Sequence, residues 1–404
     1  MTLPALLADA AERWGTPLYV TDLDLAAERL RAYADAFPGA LIAYAVKANA
    51  DPQLLRRLVA DGAGCEVVTA VELALARRAG CRGERMVMNG VGKREEEIHL
   101  ALEAGALVNA ESLDELDAIL RIAAGHDAPR IGLRLNPGLD AATHPHLATG
   151  AAESKFGIPH ALLPDALRLL GASGHPLASL GAHLGSALES VDAHAALAAL
   201  LAEAAATASA AGLPPERIDL GGGLLVADDA ALDALATAVR EHLPDAGRLI
   251  LEPGRSLVAD AGWLVTRVIR IQPRPSEARL YLVADAGMTE LIRPMLYGAL
   301  HPVSLVSPGE PLALEEGVVV DLAGPVCEAG DVLARDLGRS LAPEELALAG
   351  RGALLAVERV GAYGAAMASV YNGRLRPAEA VIEGGELRLS RRRETLDDLV
   401  SRDA

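Results

Sequence analysis

A chain of 404 residues is long enough for two or three domains, and its 51% hydrophobic content supports a large core. Aromatics are only 3%, so that core rests on alanine and leucine, both strong helix formers. The net charge of -18 repels phosphate backbones and anionic membrane surfaces, so neither nucleic acid nor a membrane is expected as a partner.

The three cysteines, Cys65, Cys81 and Cys327, form no CxxC pair, and their odd number argues against a disulfide framework. A reducing, cytoplasmic location is expected, and no metal site. The N-terminus lacks a basic region, and Asp9 and Glu12 interrupt its apolar run, so no signal peptide is expected. No uncharged apolar stretch reaches membrane-spanning length.

In chain order, Pro17–Val20 is a first strand candidate. Eight short apolar runs follow, at Leu41–Val46, Cys65–Val68, Arg85–Met88, Ala106–Val108, Ile131–Leu135, Ser179–Ala182, Arg217–Leu220 and Arg248–Leu251. Each reads as a buried parallel strand. Helical patterns lie between them at Pro52–Asp61, Val71–Ala79, Glu95–Ala104, Leu113–Ala123, Ala193–Ala211 and Ala230–Leu243. Asp51 before Pro52 is an N-cap with proline at the first helical position, and Gly62, Gly80 and Gly105 fall where left-handed C-caps are needed.

About eight such units predict a (β/α)8 TIM barrel over residues 25–263. The alternative is an open doubly wound sheet, which lacks a GxGxxG after its first strand here. Beyond residue 264 the pattern turns to strands at Arg267–Gln272, Arg279–Ala284, Val303–Val306, Gly317–Leu322, Ala353–Val357 and Glu379–Leu389. Residues 264–404, joined by 1–24, are read as a smaller all-β domain, a β-sandwich or β-barrel.

Barrel active sites sit at the C-terminal strand ends. Lys47, Asn89, Arg134 with Asn136, His183, Gly221-Gly222-Gly223 and Glu252 all fall there. A lone lysine at a strand exit is usually a surface residue. Among Tyr44, Ala45, Val46 and Ala48, Lys47 suits a Schiff-base amine whose pKa apolar neighbours lower. The glycine triplet is either a tight turn or a backbone cradle for phosphate, and Gly254-Arg255 follows in the next unit. Glu252 either pairs with an arginine or faces the pyridine nitrogen of pyridoxal 5'-phosphate (PLP), strengthening its electron sink. His183 alone reads as a core histidine; beside a flat cofactor it can stack on the ring.

Tyr44-Ala45-Val46-Lys47-Ala48-Asn49 resembles the PLP-lysine motif of the fold type III (alanine racemase-like) decarboxylases. His183-Leu184-Gly185-Ser186, Gly221-Gly222-Gly223-Leu224, Glu252-Pro253-Gly254-Arg255, Asp285-Ala286-Gly287-Met288, the Leu291–Tyr297 block, Gly324-Pro325-Val326-Cys327-Glu328 and Gly361-Ala362-Tyr363-Gly364 resemble the diaminopimelate decarboxylase family. The resemblance spans nearly the whole chain. It implies that Lys47 carries PLP, and that Ser186, Gly221, Gly222, Gly223, Gly254, Arg255 and Tyr363 surround its phosphate. Glu252 would meet the ring nitrogen and His183 would stack. Arg255, Arg293, Tyr297, Glu328 and Tyr363 would hold substrate, and Cys327 would return a proton. In the family that cysteine comes from a neighbouring subunit, which implies a homodimer with shared sites. The implied reaction converts meso-2,6-diaminopimelate to L-lysine and carbon dioxide, the last step of lysine biosynthesis.

The sequence departs from the family pattern at Glu66, where aspartate is usual, at Ala70-Val71, Ala187 and Leu225. These positions motivate an alternative, a sister decarboxylase of ornithine, lysine, arginine or a carboxylated polyamine. A racemase is disfavoured by Glu252. A non-catalytic PLP-binding homologue is disfavoured by the presence of Lys47 and Cys327.

Overall fold

A computed structural model of the chain describes residues 1–139, 150, 153–185, 191–224, 228–401 and 403. The chain divides into two compact units, Met1–Leu25 with Val258–Ala404, and Ala26–Leu257. It opens with α1 (Leu3–Trp14) and β1 (Leu18–Asp22) of the first unit, and α2 (Leu23–Ala36) leads into the second.

The second unit alternates strand and helix: β2 (Leu41–Ala45), α3 (Pro52–Ala60), β3 (Gly64–Val67), α4 (Ala70–Arg78), β4 (Met86–Met88), α5 (Glu95–Glu103), β5 (Leu107–Ala110), α6 (Leu113–Ala123) and β6 (Arg130–Asn136). The two-residue β7 (Ile158–Pro159) lies beside β6. The series continues with α7 (Leu163–Ser173), β8 (Leu177–Ala182), α8 (Asp192–Ala210), β9 (Arg217–Asp219), α9 (Asp229–Arg240), β10 (Leu249–Leu251) and the short α10 (Arg255–Val258).

The eight strands β2, β3, β4, β5, β6, β8, β9 and β10 pair in parallel, and β10 returns to β2. That last pairing closes the barrel and excludes the open sheet. Local chemistry starts the helices where the sequence implies. The Asp51 carboxylate accepts from Gln53 N–H at 2.8 Å and Leu54 N–H at 3.0 Å, capping α3. Thr69 and Ser112 cap α4 and α6 in the same way. Among the described residues α8 alone is long and apolar enough to cross a membrane by length and composition. It serves as a barrel crossover helix, with Leu197, Ala198, Leu201, Ala204 and Ala208 buried.

Leu41, Ala43, Val87, Leu107, Ala178 and Ile250 form an apolar plug of the second unit. Side chains two apart along a strand share a face. Val87, Leu107 and Ile250 are therefore followed on the same face by Asn89, Asn109 and Glu252, all three buried. The alternation sets a polar layer one step beyond the plug.

The first unit holds a mixed nine-stranded sheet built from β1, β11 (Gly262–Arg274), β12 (Arg279–Ala284), β13 (Val303–Ser307), β14 (Val319–Ala323), β15 (Val332–Ala334), β16 (Leu354–Val357), β17 (Ala378–Glu383) and β18 (Glu386–Arg391). Short helices α11 (Arg293–Tyr297), α12 (Pro343–Leu346) and α13 (Leu396–Val400) interrupt them. The long β11 pairs antiparallel with β1, β16 and β12, while β1 runs parallel to β17 and β12 parallel to β14. Alternation along β1 sends Tyr19 to one core cluster, with Leu264 and Leu282, and Leu18 and Val20 to another, with Trp263 and the α1 residues Leu6, Leu7 and Ala10. The single run expected at Glu379–Leu389 is a hairpin of β17 and β18. Gly384 and Gly385, with φ of 59° and 77°, supply its two left-handed turn positions.

Candidate active site

Lys47 follows β2 in a short 3-10 turn (Val46–Ala48) between buried Val46 and Ala48. Its Nζ lies 2.9 Å from Glu66 Oε2; the lysine side chain is 42% exposed and the glutamate 1%. The amine is therefore reachable while its carboxylate partner is sealed. Asn89 Nδ2 donates to Glu66 Oε1 at 3.3 Å and to Glu252 Oε1 at 2.6 Å. Asn109 Nδ2 in turn donates to Asn89 Oδ1 at 2.9 Å, fixing which end of the Asn89 amide faces the carboxylates. Glycines make room for this layer. A Cβ on Gly132 would overlap Asn109 Oδ1, and one on Gly181 would come 2.5 Å from Asp219 Cβ.

Glu252 is buried, and its carboxyl is pushed well above the usual carboxylate range, first by burial and then by the charges of Asp219 and Glu66. Asp219 is raised mainly by burial, and its side chain hydrogen-bonds Glu252. The two carboxyls therefore titrate as a pair, both raised by burial. His183 is pushed well below the usual imidazole value by burial, then by Arg134, Lys47 and His194, so its ring is neutral. Its Nδ1 accepts from Gly222 N–H at 3.1 Å, which leaves the ring proton on Nε2. Asn89, Asn109, Arg134, His183, Asp219 and Glu252 help line one small concavity, together with Gly181 and Ala182.

The glycine triplet follows β9. Gly221 and Gly223 have φ of 63° and 116°, which favours glycine. A Cβ on Gly222 would overlap the Glu252 carbonyl, and one on Gly221 would sit 2.5 Å from His183 Nδ1. His194 Nε2–H donates to the Gly222 carbonyl at 3.3 Å, so Gly222 is held from both sides. Gly254 precedes α10, whose first residue, Arg255, is buried. Beside this layer Arg134 Nη1 meets Glu111 Oε1 at 3.1 Å, and fully buried Lys93 meets Glu115 at 3.0 Å. Burial lowers the pKa of Lys93 and raises that of Glu115.

In the other unit, Arg293 opens α11 and is only 6% exposed. Its Cζ stands 5.5 Å from the Tyr297 ring and 5.7 Å from the Tyr363 ring, a guanidinium bracketed by aromatics. Tyr363 has φ of 60°, a conformation rare outside glycine. Cys327 and Glu328 lie in the turn after β14, with the cysteine exposed and Cys65 and Cys81 buried. Ser186, Ala187 and Leu225 lie outside the described residues.

Residues 23–259 match the family model described as pyridoxal-dependent decarboxylase, pyridoxal binding domain. The chain is 40% identical over 394 residues to diaminopimelate decarboxylase of Deinococcus radiodurans, covering 97% of each chain. The chain belongs to the diaminopimelate decarboxylase family. The diaminopimelate decarboxylase structure from Helicobacter pylori, complexed with L-lysine, superposes with a TM-score of 0.87 at 32% identity, covering 98% of each chain. The lysine/ornithine decarboxylase of Vibrio vulnificus, complexed with putrescine, has a TM-score of 0.79 at 22% identity, a likeness of fold alone.

The residues of the barrel unit fit the cofactor that a diaminopimelate decarboxylase requires. A reachable amine, a neutral imidazole, a backbone run too close-packed for any Cβ and a buried carboxyl belong to one barrel mouth. The barrel brings Lys47, His183, Gly221 to Gly223 and Glu252 together. Sequence reasoning noticed Glu66 only as a departure from the family and missed Asp219, Asn109 and His194 as site residues. The period-two step beyond Val87 and Leu107 is a signal that could have found Asn89 and Asn109 as a pair.

Proposed function

We propose that this chain decarboxylates meso-2,6-diaminopimelate to L-lysine and carbon dioxide with PLP bound at Lys47. The hydrogen-bonded line from Lys47 through Glu66 and Asn89 to the buried Glu252 carries this reading, in a chain 40% identical to a diaminopimelate decarboxylase over nearly all its length. When bound, PLP supplies an electron sink for the carbanion left by loss of carbon dioxide.

Lys47 supplies the amine that holds the cofactor, and Glu66 orients that nitrogen and takes or returns its proton. Glu252, with Asp219 beside it, would face the ring nitrogen. His183, neutral and held by Gly222, would give the ring a flat neighbour without adding a competing positive charge. Gly221 to Gly223, Gly254 and Arg255 would surround the phosphate, and the family resemblance assigns Ser186 and Tyr363 to the same role. Arg293, bracketed by Tyr297 and Tyr363, offers its planar fork to the distal carboxylate of the substrate, with Arg255 and Glu328 as further contacts. Cys327 returns the proton to the substrate carbon.

The proposal includes a homodimer in which Cys327 enters the partner's site, a cytoplasmic location, no membrane or nucleic-acid partner, and a domain division at 25–263 against 1–24 with 264–404. PLP-loaded protein should release carbon dioxide and L-lysine from meso-diaminopimelate, and far less carbon dioxide from ornithine, lysine or arginine. Borohydride reduction should label Lys47 in a peptide map. Turnover of ornithine in preference to diaminopimelate, or an unlabelled Lys47, rejects the reading.

A further inference from the structure

Cys327 sits on an exposed turn, and an exposed turn is a poor platform for a group that must deliver a proton to one atom. The surrounding residues correct this. Asp331 is only 4% exposed, and its carboxylate sews two loops together. Oδ1 accepts from Met288 N–H at 2.6 Å and Oδ2 from Val326 N–H at 2.7 Å. The Asp331 backbone adds to the clamp, its carbonyl accepting from Gly324 N–H at 3.0 Å and its N–H donating to the Glu328 carbonyl at 3.1 Å. Space around the carboxylate is exhausted. A Cβ on Gly287 would come 2.7 Å from either Asp331 oxygen, and one on Gly324 would overlap both. The glycines of the Asp285-Ala286-Gly287-Met288 and Gly324-Pro325-Val326-Cys327-Glu328 blocks thus make room for this one side chain.

The next residue is held separately. Cys327 N–H donates to Asn372 Oδ1 at 3.0 Å. Asn372 is exposed and has φ of 56°, a left-handed conformation that asparagine tolerates better than most residues. The Pro325–Val326 peptide is pinned by Asp331 and the Val326–Cys327 peptide by Asn372.

We propose that Asp331 and Asn372 are positioning residues for the Cys327 thiol, clamping residues 326 and 327 so that the sulfur is presented in one direction. This rests on the reading of Cys327 as proton donor given above. Because Asp331 is buried, its variants risk misfolding, and Asn372→Gly is the sharper probe. Glycine accepts the left-handed backbone without strain, so the carboxamide and its Oδ1 acceptor are lost while the turn is kept.

Two measurements on the PLP-loaded enzyme test the clamp. First, Asn372→Gly should lower kcat roughly 10-fold or more, with KM for diaminopimelate little changed, since a misdirected group costs rate rather than binding. In a Cys327→Ala background the same change should cost less than about 2-fold, because residues acting through one group are not additive. Asn372→Asp, which keeps an acceptor oxygen, should recover most of the lost rate. Second, the rate at which iodoacetamide alkylates Cys327 should change in Asn372→Gly; the other two cysteines are buried and do not obscure it. An equal loss of kcat in both backgrounds, or unchanged kcat and alkylation, overturns the proposal. If Cys327→Ala itself leaves kcat intact, the proton-donor reading fails. The clamp then stands or falls on the alkylation rate alone.

Discussion

Replacing Glu252 by glutamine should push stability and activity in opposite directions. In the cofactor-free chain the Glu252 carboxyl is buried beside Asp219 and Glu66, and its pKa is raised well above the usual value. Between the unfolded and folded pKa values the folded chain binds more protons than the unfolded chain, so stability falls as pH rises. The full contribution is present below the ordinary carboxylate range near pH 4 and is lost as pH climbs through the folded value. The slope reaches about 1.4 kcal/mol per pH unit for one proton, and here it belongs to the Glu252 and Asp219 pair. Glutamine is neutral at every pH, so position 252 no longer has a charged form to desolvate beside Asp219 and Glu66. Cofactor-free Glu252→Gln should therefore be more stable than the parent chain at pH 7, with a gap that widens as pH rises above the ordinary carboxylate range. Denaturant unfolding over that rise in pH measures it, with PLP removed from both proteins. The loaded variant should meanwhile lose on the order of 10²–10³ in kcat, as expected when one preorganised group facing a reacting centre is replaced. Parallel pH–stability curves for the two proteins would refute the raised carboxyl, and an unchanged kcat would refute its role at the ring.

Gly222→Ala drives a Cβ onto the Glu252 carbonyl, where no flexible side chain can yield. It should cost about 1–3 kcal/mol and weaken PLP binding measured by fluorescence titration. Gly171→Ala in helix α7, with only an ordinary 3.6 Å contact to Leu213, should instead be neutral or stabilising by about 0.5–1 kcal/mol. Arg293→Ala should raise KM for diaminopimelate far more than it lowers kcat, with a loss of about 2–5 kcal/mol in kcat/KM. Arg293→Lys should not restore it, because the bracketing rings select a planar cation.

Most of the barrel was legible because each buried parallel strand is a short apolar run closed by glycine or a charge. All eight runs coincide with observed strands to within a few residues, Leu41–Val46 against Leu41–Ala45 being typical. Helix α7 escaped notice, since Leu163 and Pro164 open it without a side-chain cap. Strand β15 is only three residues long, too short for any periodicity to show. Lys47, His183, the glycine triplet and Glu252 were legible as a group because they end successive strands. Asp219 was not, since it lies within an apolar run between Ile218 and Leu220, and only the closed barrel turns it towards Glu252. Asp331 and Asn372 carry no local signal. They matter through backbone groups distant in sequence, at Met288 and Cys327.

The placement of β1 has a consequence for how the chain is made. Residues 18–22 leave the ribosome early, yet one of their two strand partners, β17, begins only at Ala378. At ordinary synthesis rates of 5–20 residues per second, that is a wait of roughly 20–70 s. Residues 26–257 are contiguous and can complete their barrel before either partner of Leu18-Tyr19-Val20 is made; β11 follows directly after the barrel, and the second edge of β1 stays open until β17. Slowing translation should lengthen the time for which this strand edge is open and increase aggregation through it.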